Sequence, residues 1–450
     1  MIDFPSSPTV GQQFAAAGVI WTWDGTKWTA QGLSPTFLPL SGGVLSGPLG
    51  APVVSLQNAS GNANPLWGDI GGAARWLVEL GDGAAETGAN AGSNLAIVAY
   101  SDAAISLGAD LTINRATGIV AAPSGLSAPQ ARNDNRIING DMRIDQRTNG
   151  VGGTGAGVYT IDRWFYSATQ ASKGAWGRST VGAAGQAAGL GYSLSFTSSS
   201  AYAATFGDNF AFSQRIEADM VNDLAWGSAN PRPVTLSFWV TSSIAGTYSG
   251  ALVISGANRS YPFTFSLPTA NTWTKIAITI PGDSVGTIAQ GNAEGMRLNF
   301  DLGAGGQFRG PAFAWGAGNL SGANGAASIV AVAGASINLS NVKLETGIVA
   351  TDFNHQSLAK SLIDCQRYYQ IGQLYLVGQA GTAGQIIAYG APAPVVMRAI
   401  PTMTPVTNSS VNWTMTVLNY NANNIFVLQG TSVAAGAVNL NVVFTASAEL

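Results

Sequence analysis

Apolar and polar residues alternate in short runs over most of the chain, which is the pattern of half-buried β-strands. In the central part, Gly, Asn, Asp and Ser bound these runs at a spacing typical of a β-sandwich. Eight strands of this kind suit an all-β jelly roll. They are predicted at residues 192–197, 210–216, 234–240, 246–254, 260–266, 272–280, 296–302 and 338–344.

The first 33 residues predict one hairpin, because the pair Asp24-Gly25 supplies the positive φ of a type I′ turn. A two-residue loop there would pair Trp21 with Trp28 and place Trp23 on the same face. A hairpin this small cannot bury three indoles by itself. The indoles either form a mini-core with the phenylalanines that precede them or dock on another protein.

Three further segments lead to the central module. Residues 34–52 contain LPLSGGVLSGPL, whose apolar pairs need neighbours from other chains; three copies wound about an axis would bury the leucines, and the alternative is a flexible linker. Residues 53–122 carry short alternating runs that predict a small antiparallel sheet. Proline and serine mark residues 123–134 as a linker, so the sandwich is placed at residues 135–353.

After the sandwich in the sequence, residues 354–367 predict a connecting helix, since Leu358, Leu362 and Cys365 fall at helical spacing. Cys365 is expected to be a buried apolar residue on that helix. Residues 368–450 alternate again and predict a compact β tip domain. Small sheets of this kind commonly gain a core by trimerising.

Composition limits the classes of function. At 450 residues the chain exceeds one ordinary core, because domains rarely grow past about 250 residues. Charged residues make up 10% of the chain, with 20 basic residues scattered among 23 acidic ones. No basic stripe exists to neutralise phosphates, so nucleic-acid binding is not expected.

Other signals are absent from the sequence. The single cysteine forbids an intrachain disulfide, and the start MIDFPSSPTV lacks the features of a signal peptide, so export is expected by cell lysis. The longest apolar run, residues 328–337, is well short of the roughly 20 residues that cross a bilayer, which excludes membrane insertion.

Catalytic, metal and cofactor sites are not predicted. The sole histidine, His355, excludes a His-rich metal site, and with Asp352 and Asp364 nearby it indicates a polar hinge. A glycosidase needs only two carboxylates, but the spacing selects no pair. The available acids in the central module are Asp141, Asp145, Asp162, Asp208, Glu217, Asp219, Asp223 and Asp301.

Binding of sugars requires exposed aromatic rings beside amide, guanidinium or carboxylate groups. Candidate residues in the sandwich lie mostly in stretches rich in Gly, Ala and Ser, and they are Trp176, Tyr202, Gln214, Arg215, Trp226, Arg309 and Trp315. Each ring has the alternative role of packing. Trp164 and Trp239 lie within apolar strand patterns and are predicted to be core. In the tip domain, candidates for a receptor face or for intersubunit packing are Tyr375, Tyr389, Trp413 and Tyr420.

Several segments resemble proteins of bacteriophage tails. RIINGDMRIDQRTNGVGGTGAGVYTIDRW, residues 136–164, resembles the opening of a β-sandwich module of tail fibres. VGQQFAAAGVIWTWDGTKW resembles N-terminal segments of tail proteins, and residues 34–52 resemble shaft repeats of trimeric fibres. The segment from LETG through CQRYY resembles the usual ending of tail-fibre sandwiches, before a terminal tip domain.

The central module also resembles carbohydrate-binding jelly rolls attached to glycoside hydrolases. The matching segments are NGD at 139–141, SFWV at 237–240, TWTK at 272–275 and VKLE at 342–345. Asn341 stands where those modules often carry a calcium-binding acid, which argues against a structural calcium ion here.

These resemblances imply a homotrimeric tail fibre or receptor-binding protein of the virion, made in the host cytoplasm. Its N-terminus, with Trp21, Trp23 and Trp28, would dock on a tail or baseplate protein. Its sandwich and tip would bind surface polysaccharide or lipopolysaccharide, with weak sites strengthened by multivalency. The alternatives are a tailspike depolymerase that cleaves capsule or O-antigen and a purely structural fibre component.

Overall fold

The computed structural model of the chain describes residues 2–16, 19–31, 56, 58, 61–122 and 135–450. The predicted shaft-like repeat at residues 34–52 and the predicted linker at 123–134 lie outside the described residues. The chain divides into two compact units, residues 1–126 and 127–450. The described residues form β-strands and only two α-helices, so the predicted all-β class is confirmed.

The first unit begins with a three-stranded antiparallel sheet of strands Gln13–Ala16, Val19–Trp23 and Trp28–Gln31. The last two strands are joined by a four-residue loop. The carboxylate of Asp24 closes this loop by accepting hydrogen bonds from the backbone N–H groups of Thr26 (2.8 Å) and Lys27 (2.9 Å). Trp23 therefore pairs with Trp28, and the predicted two-residue turn is wrong.

The aromatic residues of this sheet pack on one another. The ring of Phe4 stacks on Trp28 at 5.3 Å between centroids and meets Trp21 edge-on at 5.2 Å. Trp23 lies 5.7 Å from Trp28. All five rings of the group, Phe14 included, are half-buried. The mini-core that the sequence offered as one alternative is thus present.

A five-stranded antiparallel sheet, the N-terminal meander, follows in the same unit. Its strands are Pro65–Ile70, Ala73–Leu80, Leu95–Tyr100, Ser106–Ile113 and Val120–Ala121. The register aligns large apolar side chains along one face, and none of them is buried. We call this the apolar face, and its large residues are Leu66, Trp76, Val78, Leu80, Leu95, Ile97, Leu111, Ile113 and Val120.

The second unit contains two facing antiparallel sheets. The back sheet has, in spatial order, strands Gly316–Ala317, Arg259–Leu267, Gly246–Ile254, Glu294–Asp301, Phe210–Glu217, Phe165–Ala168 and Val158–Tyr159. The front sheet has strands Gly174–Thr180, Tyr192–Ser198, Ser336–Thr346, Val234–Ser242 and Thr274–Ile280. A two-stranded parallel ribbon pairs Arg309–Gly310 with Gly322–Ala323.

Short helices occur in the connections of this sandwich. The α-helix Gly182–Ala187 lies between the first two strands of the front sheet, and the 3₁₀-helices are Ala218–Met220, Asn222–Leu224, Ser255–Ala257, Gly306–Phe308 and Ile329–Ala331.

The chain passes repeatedly from one sheet to the other, as in a jelly roll, and one apolar core fills the space between them. Apolar residues of both sheets are fully buried there, among them Phe196, Phe212, Phe238 and Phe300. Trp164 is also fully buried, which confirms its predicted core position. All eight predicted strands are present. The strand Gly174–Thr180 was not predicted, because Gly and Ala supply most of its apolar positions.

The α-helix Leu358–Gln366 connects the sandwich to the C-terminal domain. Ser357 caps it by accepting a hydrogen bond from the N–H of Lys360 (3.3 Å). Cys365 is fully buried on this helix, as predicted. The C-terminal domain, residues 368–450, consists of two three-stranded sheets. One is Tyr369–Ala380, Gly436–Ser447 and Thr402–Val411, and the other is Ile386–Pro392, Ile425–Ser432 and Trp413–Tyr420.

Unlike the sequence expectation, the C-terminal domain has an apolar core within a single chain. Its two sheets meet there, with the rings of Phe426 and Phe444 4.9 Å apart. Polar contacts hold the domain against the sandwich: Arg367 pairs with Glu217 at 2.9 Å, and Arg398 donates to the carbonyl of Asn292 at 2.6 Å.

Candidate functional site

Two of the tryptophans proposed as sugar platforms are buried in the sandwich. Trp176 lies within a front-sheet strand, and its indole N–H donates to the carbonyl of Gly155 at 2.7 Å. Trp226 donates in the same way to the carbonyl of Arg232 at 2.7 Å. A ring enclosed on both faces cannot stack on a sugar, so the structure removes both residues from the candidates.

Trp315 is half-buried at the edge of the same core. Its ring meets Trp226 edge-on at 5.2 Å and Tyr261 at 5.5 Å, and its indole N–H donates to the carbonyl of Pro281 at 2.8 Å. The residue therefore closes the end of the sandwich. Its role in the described structure is packing.

The polar side chains proposed to bind sugars are also occupied by hydrogen bonds or ion pairs within the protein. Gln214, 1% exposed, accepts from the N–H of Ile138 (2.8 Å) and donates to its carbonyl (2.9 Å). Arg309 donates to the buried carboxylate of Asp301 at 2.8 Å. Arg215 lies 3.4 Å from Glu294. These side chains hold loops and strands together.

Tyr202 belongs to a capped loop. Its hydroxyl donates to Asp208 at 2.8 Å, and this bond raises the pKa of the phenol. The N–H of Thr205 and the hydroxyls of Thr169 and Thr205 hold the pKa of the Asp208 carboxyl well below its ordinary value. The ring of Tyr202 is half-buried beneath Lys173, at 4.8 Å.

The tip candidates separate into two classes. Trp413 and Tyr420 are buried in the core of the C-terminal domain, so they cannot face a receptor. Tyr375 and Tyr389 are exposed and lie on different sheets. Only these two remain as surface rings.

A cavity of about 540 Å³ lies between the start of the sandwich and the connecting helix. Its walls carry charges of both signs in ion pairs: Arg143–Asp141 at 2.5 Å, Arg367–Glu217 at 2.9 Å and Lys360–Asp364 at 2.9 Å. A further acid, Asp219, accepts from the N–H of Gly291 at 2.9 Å. Each of these four carboxylates therefore has a donor within the protein.

A groove of about 190 Å³ crosses the outer side of the front sheet. Trp239 lies in it, half-buried, with Lys275 and Asn341 on the neighbouring strands and Phe353 and His355 on the segment that follows the sheet. The prediction that Trp239 belongs to the core is wrong. Strand alternation gives the reason, because Leu236, Phe238 and Val240 of the same strand all point inward. That parity was readable in the sequence.

Asn341 is the second distinctive residue of this groove. It sits at a bulge in its strand with φ +47°, a conformation that asparagine tolerates. The side chain is 6% exposed, and its Oδ1 has no hydrogen-bond partner in the described structure. The residue lines the groove, although this oxygen itself is buried.

The segment after the front sheet forms one wall of the groove. Lys343 donates to the carbonyl of Asp352 at 3.0 Å, and the N–H of Thr351 donates to Glu345 at 2.8 Å. His355 places Nδ1 3.3 Å from the carboxylate of Asp141. Thus the expected polar hinge is anchored to the sandwich, and Phe353 lines both the groove and the larger cavity.

The described residues include no cluster of three or more His, Cys, Asp or Glu side chains that could hold a metal ion. Neither described α-helix is long and apolar enough to span a membrane.

No protein-family model matches the sequence, and no curated protein matches it. Among solved structures, the enzymatically active domain of tailspike protein 4 from bacteriophage CBA120 is 14% identical, with 47% of this chain and 21% of that chain covered and a TM-score of 0.26. The chain thus spans about a fifth of that tailspike structure.

Carbohydrate-binding modules also appear among the structural matches. A family 4 module is 15% identical, with 34% of this chain and 84% of that chain covered and a TM-score of 0.20. The family 11 module of Lic26A-Cel5E from Clostridium thermocellum is 12% identical, with 45% and 98% covered and a TM-score of 0.22. Likenesses this distant carry no inference about ligands.

Proposed function

We propose that this chain is a receptor-binding protein of a phage tail, of the tail-fibre type, and that it attaches the virion to glycans on the bacterial surface. The observation that carries the proposal is the Trp239 groove, where a partly exposed indole lies beside the polar side chains of Lys275, Asn341 and His355. The resemblance of residues 136–164 to tail-fibre sandwiches supports the viral setting.

The groove offers the two contacts that a sugar ring needs. The indole of Trp239 provides an apolar surface for the C–H face of a pyranose, and polar side chains beside it bind hydroxyl groups. Lys275, Asp352 and His355 supply polar atoms at the rim. A groove of about 190 Å³ accommodates one or two sugar units and suits weak binding. Several copies on one particle then supply avidity.

We propose that the protein binds its glycan without cleaving it. Hydrolysis of a glycosidic bond uses two carboxyl groups that flank the bond, one of them as a proton donor. In the cavity beside the helix, Asp141, Glu217 and Asp364 each pair with a cation instead. No release of reducing ends from host polysaccharide is expected.

A homotrimer is the assembly we propose, because the apolar face of the N-terminal meander exposes large side chains such as Trp76 and Leu66 to water. Packing against other copies of the same sheet would bury them. We also propose that the small sheet with Trp21, Trp23 and Trp28 attaches to a tail or baseplate protein and that the chain is a component of the virion.

The test compares Trp239→Ala with Trp67→Ala, in which an equally large exposed ring is removed from the first unit. Both purified proteins are assayed for adsorption to host cells and for affinity toward a short oligosaccharide of the host surface. Trp239→Ala should weaken affinity by about tenfold or more, as expected for loss of a central aromatic contact. Wild-type affinity in Trp239→Ala would contradict the assignment of the groove.

A further inference from the structure

The C-terminal domain has an unusual charge composition. Between residues 370 and 448, Arg398 is the only charged side chain, whereas about a quarter of the residues in ordinary domains are charged. The guanidinium of Arg398 is occupied, since Nη1 donates to the carbonyl of Asn292 (2.6 Å) and Nε to that of Ala448 (2.7 Å). Hence the central strand of each sheet in this domain presents no ionisable side chain to the outer surface.

One of these surfaces carries an ordered set of amides around an exposed ring. On strand Tyr369–Ala380, Leu374 and Leu376 point into the core, so Gln373 and Tyr375 point outward. Tyr375 is 54% exposed and lies opposite Asn441 on the central strand Gly436–Ser447.

Two hydrogen bonds fix these side chains. Asn439 donates to the hydroxyl of Tyr375 at 2.9 Å, and Gln373 donates to Oδ1 of Asn441 at 2.8 Å. Each amide has two donors and two lone pairs, so one bond leaves it further capacity for a ligand. We call this surface the amide face, defined by Gln373, Tyr375, Asn439 and Asn441.

We propose that the amide face is a second glycan site, specific for neutral sugars; this inference rests on the proposed function and gives it a ligand class. The ring of Tyr375 supplies the stacking surface, and the preorganised amides bind pairs of hydroxyl groups. An acidic polysaccharide would bring carboxylates or phosphates to this face, where no cationic side chain would pair with them. A neutral sugar therefore fits the amide face better.

A second copy of the chain is a poorer occupant of this face. The third strand adds Thr407 and Ser409, opposite Val443 and Asn441. Val377 and Val411 are exposed on the same face, but the polar side chains outnumber them. The core of a subunit interface is normally more apolar than the rest of the surface. The apolar face of the N-terminal meander meets that description, whereas the amide face does not.

The experiment uses the full chain with Trp239→Ala, so that the remaining binding reports on the amide face. The probe is an array of bacterial surface oligosaccharides, some neutral and some carrying uronic acid or phosphate. Neutral members should bind, with affinity unchanged between about 0.05 and 0.5 M NaCl, because no ion pair forms. Adding Tyr375→Ala or Asn441→Ala should weaken binding by roughly tenfold.

Matched controls come from the other sheet of the same domain, where Tyr389 is exposed and Gln429 faces outward. Tyr389→Ala and Gln429→Ala should leave binding intact, and thermal unfolding should show that every variant is folded. Preference for acidic members, strong weakening by salt, or equal loss in the controls would overturn the proposal. A change of oligomeric state in Tyr375→Ala with unaltered binding would assign the face to a second copy.

The array also separates this inference from the proposed function. If Trp239→Ala by itself abolishes all glycan binding, the amide face is not a site, while the proposed function stands. If the wild-type chain binds neither the array nor host cells, both proposals fail.

Discussion

Arg163 and Tyr368 are joined by a cation–π contact in which the guanidinium carbon lies 3.5 Å from the ring centre. The same guanidinium pairs with Glu449, whose carboxylate also lies 2.6 Å from Arg147. Arg163 is 1% exposed. Burial acts to lower its pKa, but the Glu449 carboxylate together with Tyr368, Tyr159 and Cys365 outweighs burial, so the pKa is raised. One buried cation of the sandwich thus holds residues from both ends of the C-terminal domain.

Replacement of Glu449 by Gln should therefore destabilise the docked C-terminal domain. The substitution keeps the shape but leaves the Arg163 charge buried without a counter-ion, which typically costs about 3–5 kcal/mol. Urea unfolding should show this loss, and a separate early transition of the C-terminal domain is expected. Asp352→Asn is the control, because its pair with Lys275 is exposed and should contribute no more than about 1 kcal/mol. Equal stability of the two variants would contradict the proposed anchor.

The Asp208 loop should make part of the stability sensitive to acid. Its carboxyl has a pKa below the ordinary value of 3.8 in the folded protein, so the ionised form is favoured by folding. That stability is fully present above about pH 4 and is lost as the pH falls from there toward the lower folded-state pKa. Asp208→Asn should lower the melting temperature at pH 7 and flatten its decline below pH 4. A parallel decline in both proteins would show that Asp208 does not contribute.

Trp226 should matter for stability and not for binding. Its buried ring packs on Trp315, so Trp226→Ala should cost about 3–5 kcal/mol. The nearby Val285→Ala, at a side chain that is 68% exposed, should stay within about 0.5 kcal/mol. Affinity for the glycan, measured well below the melting temperature, should match that of the wild type. Lost affinity in a folded Trp226→Ala protein would return this residue to the list of contact residues.

The sequence predicted the positions of the strands correctly, but it did not predict which side chains face water. Strands such as Gly246–Ile254 were predicted correctly because alternation depends only on which residues are apolar. The prediction for Trp239 was wrong because an indole suits either side of a sheet. Since Phe238 faces the core, strand alternation already indicated that Trp239, its neighbour, faces outward. The Trp23–Trp28 pairing depended on hydrogen bonds of the Asp24 carboxylate, which a turn dipeptide does not specify.

The unpaired amide oxygen and the amide face depended on geometry that no local pattern contains. Asn341 lies at a bulge between strands that are far apart in the sequence, and its Oδ1 has no partner in the described structure. Likewise, Tyr375 and Asn439 meet only through the register of two strands. Trp413 and Tyr420 show the opposite case, since both face the core from a single strand that also carries Thr414, Thr416 and Asn419.

The apolar face of the N-terminal meander predicts how assembly will respond to charge. Ile97 lies on a central strand of that face, directly between Val78 and Leu111. Ile97→Glu would bring a carboxylate into each subunit contact, where burial of an unpaired charge is costly. Analytical ultracentrifugation should show a shift from trimer to monomer. Asp69→Glu in the same sheet keeps its charge and serves as the control; a trimeric Ile97→Glu would move the subunit contact elsewhere.

Cys365 offers a direct readout of the connecting helix. Its thiol is fully buried, and burial raises its pKa well above 9.0, so the reactive thiolate is scarce in the native protein. Iodoacetamide at pH 8 should label it only when the helix Leu358–Gln366 opens. Glu449→Gln weakens the contacts that hold the adjoining domain, so it should accelerate labelling by at least tenfold if opening follows loss of docking. Asp352→Asn should label at the wild-type rate. Equal rates in all three proteins would mean that the helix opens independently of the C-terminal domain.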